Sequence, residues 1–337
     1  MRGFVMGTRP EIIKMAPIMR LLDMEGLPYL IFWTQQHTRS DMAMDFFEEL
    51  GLRTPDVVLT GGMVNWTQGK LGVHLTANRI DMLLVEGDTD SVLFGALAAV
   101  RAGIPVCHVE AGLRSGDLTM PEEKNRIAVD HMSTILCAPT SRAKDNLELE
   151  GVKGDIHFTG NTIVDALHLY TEKGDPPFPE HYFMATLHRR ENVDNPERLT
   201  MLLDALENLG ETMNAKVVLP IHPRTAERVK GMNRLRRFVK FVDPLGYLAF
   251  VNMLYHADAV LTDSGGVQEE AAVMGVPCVT LRTTTERQET IDAGVNMLAN
   301  SPEEILEAAR RMMQVRSGLM NPYGDGHAAE RILEVTK

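Results

Sequence analysis

Short apolar runs alternate with longer helical segments along almost the whole chain of 337 residues. The apolar runs are rich in Val, Ile, Leu and Phe, which is typical of parallel strands buried on both faces. In the first half of the chain they read RGFVM, YLIFWT, DMLLVEG, IPVCHVEA, TILCAP and IHFTG. Segments with helical periodicity lie between them, including 11–25, 89–102 and 122–133. Strands and helices that alternate with short turns predict an α/β fold with a doubly wound parallel sheet.

The stretch GDPPFPE (174–180) interrupts the alternation, because three prolines within four residues stop both helix and strand. We interpret it as a linker between domains. The alternation then resumes with the strands YFMATL, AKVVLPI, RFVKFVD, ADAVLTD and VPCVTL and with helices at 195–210, 246–256 and 266–275. Asn195 before Pro196 is a favourable helix start, and SPEE (301–304) is a capping box. We expect two α/β domains with a cleft between them, and ligands at the carboxyl ends of the strands.

The composition limits the partners and the compartment. The chain has 34 Lys and Arg against 46 Asp and Glu, and the net charge of −12 argues against a general role on nucleic acid or an anionic membrane. No apolar run approaches the ~18 residues of a membrane span, and the N-terminus does not resemble a signal peptide. Cys107, Cys137 and Cys278 lie in apolar surroundings, which indicates buried thiols in a reducing compartment. We therefore expect a cytoplasmic protein.

Two loops that follow the first and third apolar runs could bind or transform a ligand. In GTRPEIIK (7–14) a proline-containing helix start leaves amides that favour an anion, and Arg9 and Lys14 add positive charge. The alternative is an ordinary surface helix start. In EGDTDS (86–91) the carboxylate of Asp88 follows a strand end, although a helix-capping role would also explain it.

The segment HVEAGLRSGDLTMPEEKNR (108–126) places two carboxylates around a glycine-containing loop. Glu110 directly follows a buried strand, where a carboxylate is costly unless it is solvated, paired or used in chemistry. Glu122 opens the next helix. A purely structural pairing of Glu110 with Arg114 or Arg126 is the alternative to a functional role.

In the second half, TLHRREN (186–192) and LTDSGGVQEEA (261–271) follow predicted strands. His188 beside two arginines makes a cationic group in an acidic chain, with a solvated turn as the alternative. The Ser-Gly-Gly turn before a helix suggests that a ligand approaches the backbone closely. Arg282 and Arg287 follow another strand, and His222 follows a third.

Several familiar cofactor signatures do not match. No G-x-G-x-x-G follows the first strand, and GMVNWTQGK (62–70) does not fit the spacing of a phosphate-binding Walker A loop. The histidines and cysteines are scattered without metal-ligand spacing. We expect neither a nicotinamide cofactor nor a metal ion.

Nine motifs follow one another from residue 7 to the C-terminus, namely GTRPEIIKMAP, GDT, HVEAGLRSGD, PEEKNR, TGNTIVDAL, HRREN, TDSGGVQEEA, TTER and NPYGDGHAAERIL. Together and in this order they resemble the motifs of the non-hydrolysing UDP-N-acetylglucosamine 2-epimerases. The resemblance implies the GT-B architecture of two Rossmann-like domains and a homodimer. It also implies reversible conversion of UDP-GlcNAc to UDP-ManNAc without metal or other cofactor, with UDP-GlcNAc, UDP-ManNAc and UDP as ligands.

The implied reaction needs more than one carboxylate. The C2 proton of the sugar is not next to a carbonyl, so the family's route is anti elimination of UDP to a 2-acetamidoglucal, followed by re-addition. Proton transfer on both faces of C2 requires tuned acid/base groups, and the departing diphosphate requires fixed positive charge. By resemblance, Asp88, Glu110 and Glu122 are the acid/base carboxylates, without an assignment of each to a face. His188 contacts or protonates the departing phosphate.

The resemblance also implies the residues that bind the UDP-sugar. Ser264, Gly265 and Gly266 would offer a hydroxyl and amides to the diphosphate, and Glu270 would bind the ribose hydroxyls. Glu269 has no implied role, and we expect it to be solvated. The other positions matched to the binding site are Arg9, Lys14, Gln36, His37, Arg126, His222 and Arg287. Arg126 is expected to orient a carboxylate.

The expected domains are 1–174 with the acid/base residues, 175–318 with the UDP site, and a C-terminal helix at 319–337 that packs back on the first domain. Other activities stay open on the sequence alone. A GT-B glycosyltransferase would use the same UDP site but needs fewer carboxylates. A 2-epimerase of a UDP-diacetamido-uronic acid, or a hydrolysing 2-epimerase, would share the fold. A binding protein without turnover would lack an acid/base position, and none is missing.

Overall fold

The computed structural model describes residues 1–36, 40–59, 70–171, 174–230, 236–315 and 320–337. The chain forms two compact units. The first unit comprises Met1–Tyr170 and Tyr323–Lys337, and the second unit comprises Thr171–Pro322. The proline-rich stretch 174–180, expected to be a linker, lies just inside the second unit. This stretch is attached to the rest of the second unit by two side chains. Asn252 contacts the carbonyl oxygen of Asp175 at 3.1 Å, and His256 contacts that of Gly174 at 3.0 Å.

The first unit is built on a parallel sheet. Its strands are β1 (Arg2–Met6), β2 (Tyr29–Trp33), β3 (Val57–Val58), β4 (Met82–Glu86), β5 (Val106–Val109), β6 (Ile135–Ala138) and β7 (Asp155–Phe158). Among the described residues the strand order is β3-β2-β1-β4-β5-β6-β7. Because the order reverses between β1 and β4, the loops after these strands flank the crevice where open α/β sheets bind ligands.

The sheet of the first unit is covered by helices that connect its strands. They are α1 (Arg9–Glu25), α2 (Ser40–Glu49), α3 (Leu71–Ala77), α4 (Asp90–Arg101), α5 (Pro121–Met132), α6 (Ser141–Glu150) and α7 (Thr162–Tyr170). Local sequence sets where they begin and end. The hydroxyl of Thr89 accepts the N–H of Val92 at the start of α4, and Gly26 ends α1 with a φ of 66°.

The second unit repeats the same topology. Its strands are β8 (Tyr182–Thr186), β9 (Lys216–Pro220), β10 (Val239–Val242), β11 (Val260–Thr262), β12 (Cys278–Thr280) and β13 (Asn296–Leu298). Its described helices are α8 (Arg190–Val193), α9 (Pro196–Met213), α10 (Pro223–Val229), α11 (Tyr247–His256), α12 (Gly265–Met274), α13 (Gln288–Asp292) and α14 (Pro302–Val315). The order β10-β9-β8-β11-β12-β13 in the described sheet reverses between β8 and β11.

The last described helix, α15 (Ala328–Val335), belongs to the first unit. Asp165 on α7 is buried, and its carboxylate accepts the N–H groups of Ala328 and Ala329 at 3.3 and 2.9 Å. The first N–H groups of a helix have no partner within the helix, so a carboxylate is favourable there. Arg2 at the start of β1 also donates to the carbonyl oxygen of Thr336 at 2.9 Å. The C-terminus is thus tied to both α7 and β1.

Most strands and helices named from the sequence are confirmed to within a few residues. The side chain of Asn195 accepts the N–H groups of Glu197 and Arg198, and Ser301 and Glu304 form the expected capping box. All three cysteines are buried. Within the described part of the chain, no helix combines the length and apolar character needed to cross a bilayer.

Candidate active site

The helix start after β1 already holds a carboxylate of the chain itself. Glu11 on α1 is 1% exposed, and its Oε2 accepts the N–H groups of Gly7 and Thr8 at 2.5 and 3.3 Å. The hydroxyl of Thr89, one residue after Asp88, donates to Oε1 at 2.6 Å. The amides expected to favour an anionic ligand therefore bind Glu11, which also ties the loop after β1 to the loop after β4.

Burial raises the pKa of Glu11 from 4.5 to about 7, against the opposing effect of its hydrogen bonds. The folded protein therefore holds this proton more tightly than the unfolded chain does. The stability that Glu11 contributes is fully present below about pH 4.5 and is lost as the pH rises to about 7, a change of about 3 kcal/mol in the free energy of unfolding.

We expect Glu11→Gln to remove this pH dependence. The unfolding free energy of the wild type minus that of the variant should fall by about 3 kcal/mol from pH 4.5 to pH 7.5. Urea denaturation followed by circular dichroism measures both values. Glu25→Gln, at an exposed carboxylate at the end of the same helix, is the matched control. Parallel pH curves for wild type and Glu11→Gln would show that Glu11 does not titrate in this way.

Glu110 is paired with a lysine from α1. The Lys14 ammonium hydrogen-bonds Glu110 Oε2 and lies 3.4 Å from Oε1 of Glu86, the last residue of β4. All three side chains are buried. Glu110 also has a φ of 68°, a left-handed conformation that non-glycine residues adopt at some cost. A buried carboxylate on a strained backbone, beside a cation and a second carboxylate, is suited to proton transfer.

Asp88 is held by α5, the helix that carries Glu122. Arg126 hydrogen-bonds both Asp88 and Glu123 through its two terminal nitrogens, as expected for a residue that orients a carboxylate. Asn125 donates to the carbonyl oxygen of Asp88 at 3.0 Å. Glu122 lies in the first turn of α5 and is half-buried. Hydrogen bonds therefore connect the loop after β4, which carries Asp88, to α5, which carries Glu122 in its first turn.

The other predicted binding residues of the first unit lie near the same strand ends. Gln36 follows β2, and its side-chain oxygen accepts the N–H and hydroxyl groups of Ser91 at 2.8 and 2.6 Å. Arg9 stacks on the ring of Phe46 at 4.5 Å. His37 lies outside the described residues.

In the second unit, His188 is oriented by a buried aspartate that the sequence did not single out. Its Nδ1 lies 2.8 Å from Oδ1 of Asp263, which also accepts the N–H groups of His188 and Arg189. Burial acts to raise the pKa of Asp263, but the hydrogen bonds from His188, Asn192 and Arg189 outweigh it and lower the pKa. The His188 ring is 37% exposed. Since Asp263 fixes Nδ1, the ring can present Nε2 to a ligand.

The arginines of this region are paired with carboxylates. Glu286 is buried, and although burial acts to raise its pKa, Arg287, Arg282 and Arg189 outweigh it and lower the pKa well below its ordinary value. Glu269 was expected to be solvated, and that expectation is wrong. It is fully buried and forms an ion pair of 2.8 Å with Nε of Arg287.

The start of α12 follows β11 at the reversal of the strand order. Ser264 precedes the helix, and its side chain makes no hydrogen bond that caps it. A Cβ added to Gly265 would lie 2.6 Å from Oε1 of Glu286, so any larger residue here would displace the Glu286 carboxylate. Glu270 is buried in the second turn, and the His222 ring lies 5.8 Å from that of His188. Amides, a hydroxyl and a half-exposed imidazole at a helix start can bind a phosphate group.

The structure adds Glu86, Glu123 and Asp263 to the residues chosen from the sequence. Each is a carboxylate at a strand end or helix start, and each is buried. Glu86 and Asp263 end apolar runs, which was a usable signal, but their partners Lys14 and His188 come from distant parts of the chain. Glu123 instead binds nearby groups, the side chain of Arg126 and the N–H groups of Ser115 and Gly116. Within the described ranges, no group of three or more His, Cys, Asp or Glu side chains could hold a metal ion.

Comparison with known proteins gives full-length matches. The family model described as UDP-N-acetylglucosamine 2-epimerase matches residues 20–337. A Methanococcus maripaludis protein named UDP-N-acetylglucosamine 2-epimerase is 41% identical, over 99% of this chain and 97% of its own. A Pseudomonas aeruginosa protein named UDP-2,3-diacetamido-2,3-dideoxy-D-glucuronate 2-epimerase is 38% identical, over 98% of this chain and 97% of its own.

Solved structures agree with these matches. The crystal structure of Methanocaldococcus jannaschii UDP-GlcNAc 2-epimerase in complex with UDP-GlcNAc and UDP superposes with a TM-score of 0.90, at 40% identity and over 99% of each chain. The predicted GT-B fold of two Rossmann-like domains is thereby confirmed.

Proposed function

The chain belongs to the UDP-N-acetylglucosamine 2-epimerase family, and from this we propose that it interconverts UDP-GlcNAc and UDP-ManNAc by inverting C2 of the sugar. The observation that carries the proposal is the buried group of Lys14, Glu86 and Glu110. Its two glutamates lie where β4 and β5 end, and the turn after β4 also carries Asp88, which is paired with Arg126. Proton transfer at a weakly acidic carbon needs such carboxylates.

The first half of the proposed reaction is an elimination. One carboxylate of the first unit removes the C2 proton, the C–H electron pair forms the C1=C2 bond, and the C1–O pair leaves with UDP. The product is a 2-acetamidoglucal. In the second half, a proton reaches C2 from the opposite face and UDP adds back to C1, so atoms and electrons balance without a cofactor. Asp88, Glu110 and Glu122 are the proposed acid/base groups.

The second unit is proposed to bind UDP. Ser264 and the amides of Gly265 and Gly266 would hold the diphosphate, because a helix start binds an anion without requiring a free cation. His188, oriented by Asp263, would contact the phosphate that gains charge as the C1–O bond breaks. Glu270 would bind the ribose hydroxyls. Arg189 is 23% exposed, and its contact with Glu286 is a long one of 3.3 Å. Its side chain could therefore turn away from Glu286 toward a phosphate.

The substrate could instead carry a uronic acid. The 38% identity to a protein named UDP-2,3-diacetamido-2,3-dideoxy-D-glucuronate 2-epimerase favours this as the second candidate. The elimination is the same in both cases, because it involves only C1 and C2. The difference lies at C3 and C5 of the sugar, where a uronate would need an additional cation.

We expect the purified protein to label the substrate in deuterated water. UDP-GlcNAc, without added NAD or metal, should give a mixture with UDP-ManNAc in which both epimers carry deuterium at C2, as followed by proton NMR. Epimers without the label would contradict elimination. Release of free ManNAc with UDP would identify a hydrolysing enzyme. Turnover of the diacetamido-uronate alone would identify the second substrate.

The expected homodimer and the cytoplasmic location remain predictions. Sedimentation velocity at micromolar protein concentration measures the first directly.

A further inference from the structure

We propose that His108 and Asp130 are positioning residues that hold the turn at Gly87–Asp88 and the turn at 110–112 in fixed relation to each other. The inference rests on the proposed function, because these turns carry Asp88 and Glu110. Neither His108 nor Asp130 reaches a substrate, since both are fully buried.

The two side chains join three parts of the first unit. His108 lies on β5, and its Nδ1 is 2.6 Å from Oδ1 of Asp130 on α5. Its Nε2 is 2.8 Å from the carbonyl oxygen of Gly87, in the turn after β4. The other oxygen of Asp130 accepts the N–H of Gly112 at 3.2 Å and forms an ion pair of 2.7 Å with Arg114. One carboxylate therefore connects both turns.

The hydrogen bonds define how the ring is used. A carbonyl oxygen can only accept, and the Asp130 carboxylate that faces Arg114 is likewise an acceptor. The His108 ring must therefore donate from both nitrogens. A charge-assisted pair that is buried from water has a well-defined geometry. Removing one partner is destabilising, because it leaves the other charge buried without compensation.

The backbone at Glu110 requires such anchors. Its φ of 68° is unfavourable for a residue with a side chain, and a strained residue keeps its conformation only when its surroundings enforce it. His108 fixes the chain two residues before Glu110, and Asp130 fixes the N–H of Gly112 two residues after it. Asn146 on α6 also donates to the Gly112 carbonyl oxygen at 2.9 Å. The strained residue thus lies between two points held by the same carboxylate.

The same ring sets the position of Asp88. Its hydrogen bond to the Gly87 carbonyl fixes the peptide that leads directly into Asp88. Because β4 and β5 are paired, with Val85 opposite His108, the bond spans neighbouring strands at the point where each ends. Proton transfer is sensitive to displacements of about 1 Å, which can cost on the order of 10²-fold in rate. Loss of the pair should therefore affect turnover more than binding.

The test compares Asp130→Asn with a matched buried aspartate. Asp165→Asn in the same unit also removes a buried carboxylate that accepts two backbone N–H groups, but those groups belong to α15. We expect Asp130→Asn to lower kcat by about 30-fold, with KM for UDP-GlcNAc changed less than about 3-fold. Asp165→Asn should lower the melting temperature comparably and leave kcat unchanged. Equal kcat values for the two variants at equal folded fraction would overturn the proposal.

A spectroscopic measurement on the wild type does not depend on turnover or on variant folding. The ¹⁵N resonances of the His108 ring should show hydrogen on both nitrogens, and the Gly112 amide, which donates to Asp130, should be protected from exchange. A ring with one protonated nitrogen would overturn the proposed pair. If wild type does not convert UDP-GlcNAc, the proposed function fails, while the ring spectrum still decides whether the pair exists.

Discussion

Glu110→Gln is expected to lower kcat by about 10³-fold, the middle of the range for loss of a general acid or base. Glutamine has nearly the same size, so the packing around it should persist. Lys14 would keep Glu86 at 3.4 Å as a partner, so its buried charge would remain compensated. The amide cannot take up a proton, so the C2 proton should no longer exchange. Steady-state rates and deuterium incorporation at C2 measure both effects.

Binding of UDP separates this prediction from general damage. Because UDP is proposed to bind the second unit, its Kd by calorimetry should change less than about 3-fold in Glu110→Gln. Glu148→Gln provides the matched control, since Glu148 makes the same kind of lysine contact at 3.4 Å on the surface of α6. Turnover of Glu110→Gln within about 10-fold of wild type would exclude Glu110 as an acid/base residue.

Asp263→Asn should lower kcat by about 10²-fold through the loss of His188 orientation. The carboxylate accepts from the His188 ring and from two backbone N–H groups and Asn192, so an amide would place its own N–H against a donor. Asp263 is fully buried, and its lowered pKa means that it is ionised throughout the working pH range. The measurement is the pH–rate profile for UDP-GlcNAc.

Another His–Asp pair in the same unit serves as the control. Asp258 lies 3.1 Å from Nδ1 of His181, at the opposite ends of the strands, and the His181 side chain is 91% exposed. Asp258→Asn should leave kcat unchanged. If both variants give the same profile, the orientation of His188 by Asp263 has no part in turnover.

The sequence predicted the central strands well, because β1, β4, β5, β8 and β11 lie in mainly apolar runs. The strands β3 and β13 were not predicted. The strand β3 has only two residues, and Asn296 interrupts the apolar residues of β13, so no apolar run marks either of them. Both form by pairing at an edge of the described sheets. Loops after strands could be chosen as candidate sites because parallel strands deliver their carboxyl ends to one edge.

Partners within the site could not be predicted in the same way. Glu110 could have paired with either nearby arginine, but its lysine comes from 96 residues away. The expectation that Glu269 is solvated failed because α12 is buried from Val267 to Ala272, so its glutamates have no polar face to occupy. Glu269 instead has Arg287 as a buried counter-charge.

The return of the chain to the first unit at Tyr323 determines the order in which the protein can be completed during synthesis. A ribosome adds on the order of 5–20 residues per second, so the continuous segment Thr171–Pro322 emerges whole while the first unit still lacks α15. The Asp165 carboxylate cannot accept the N–H groups of Ala328 and Ala329 until those two residues have been synthesised. The unit that begins the chain is therefore the last to be finished.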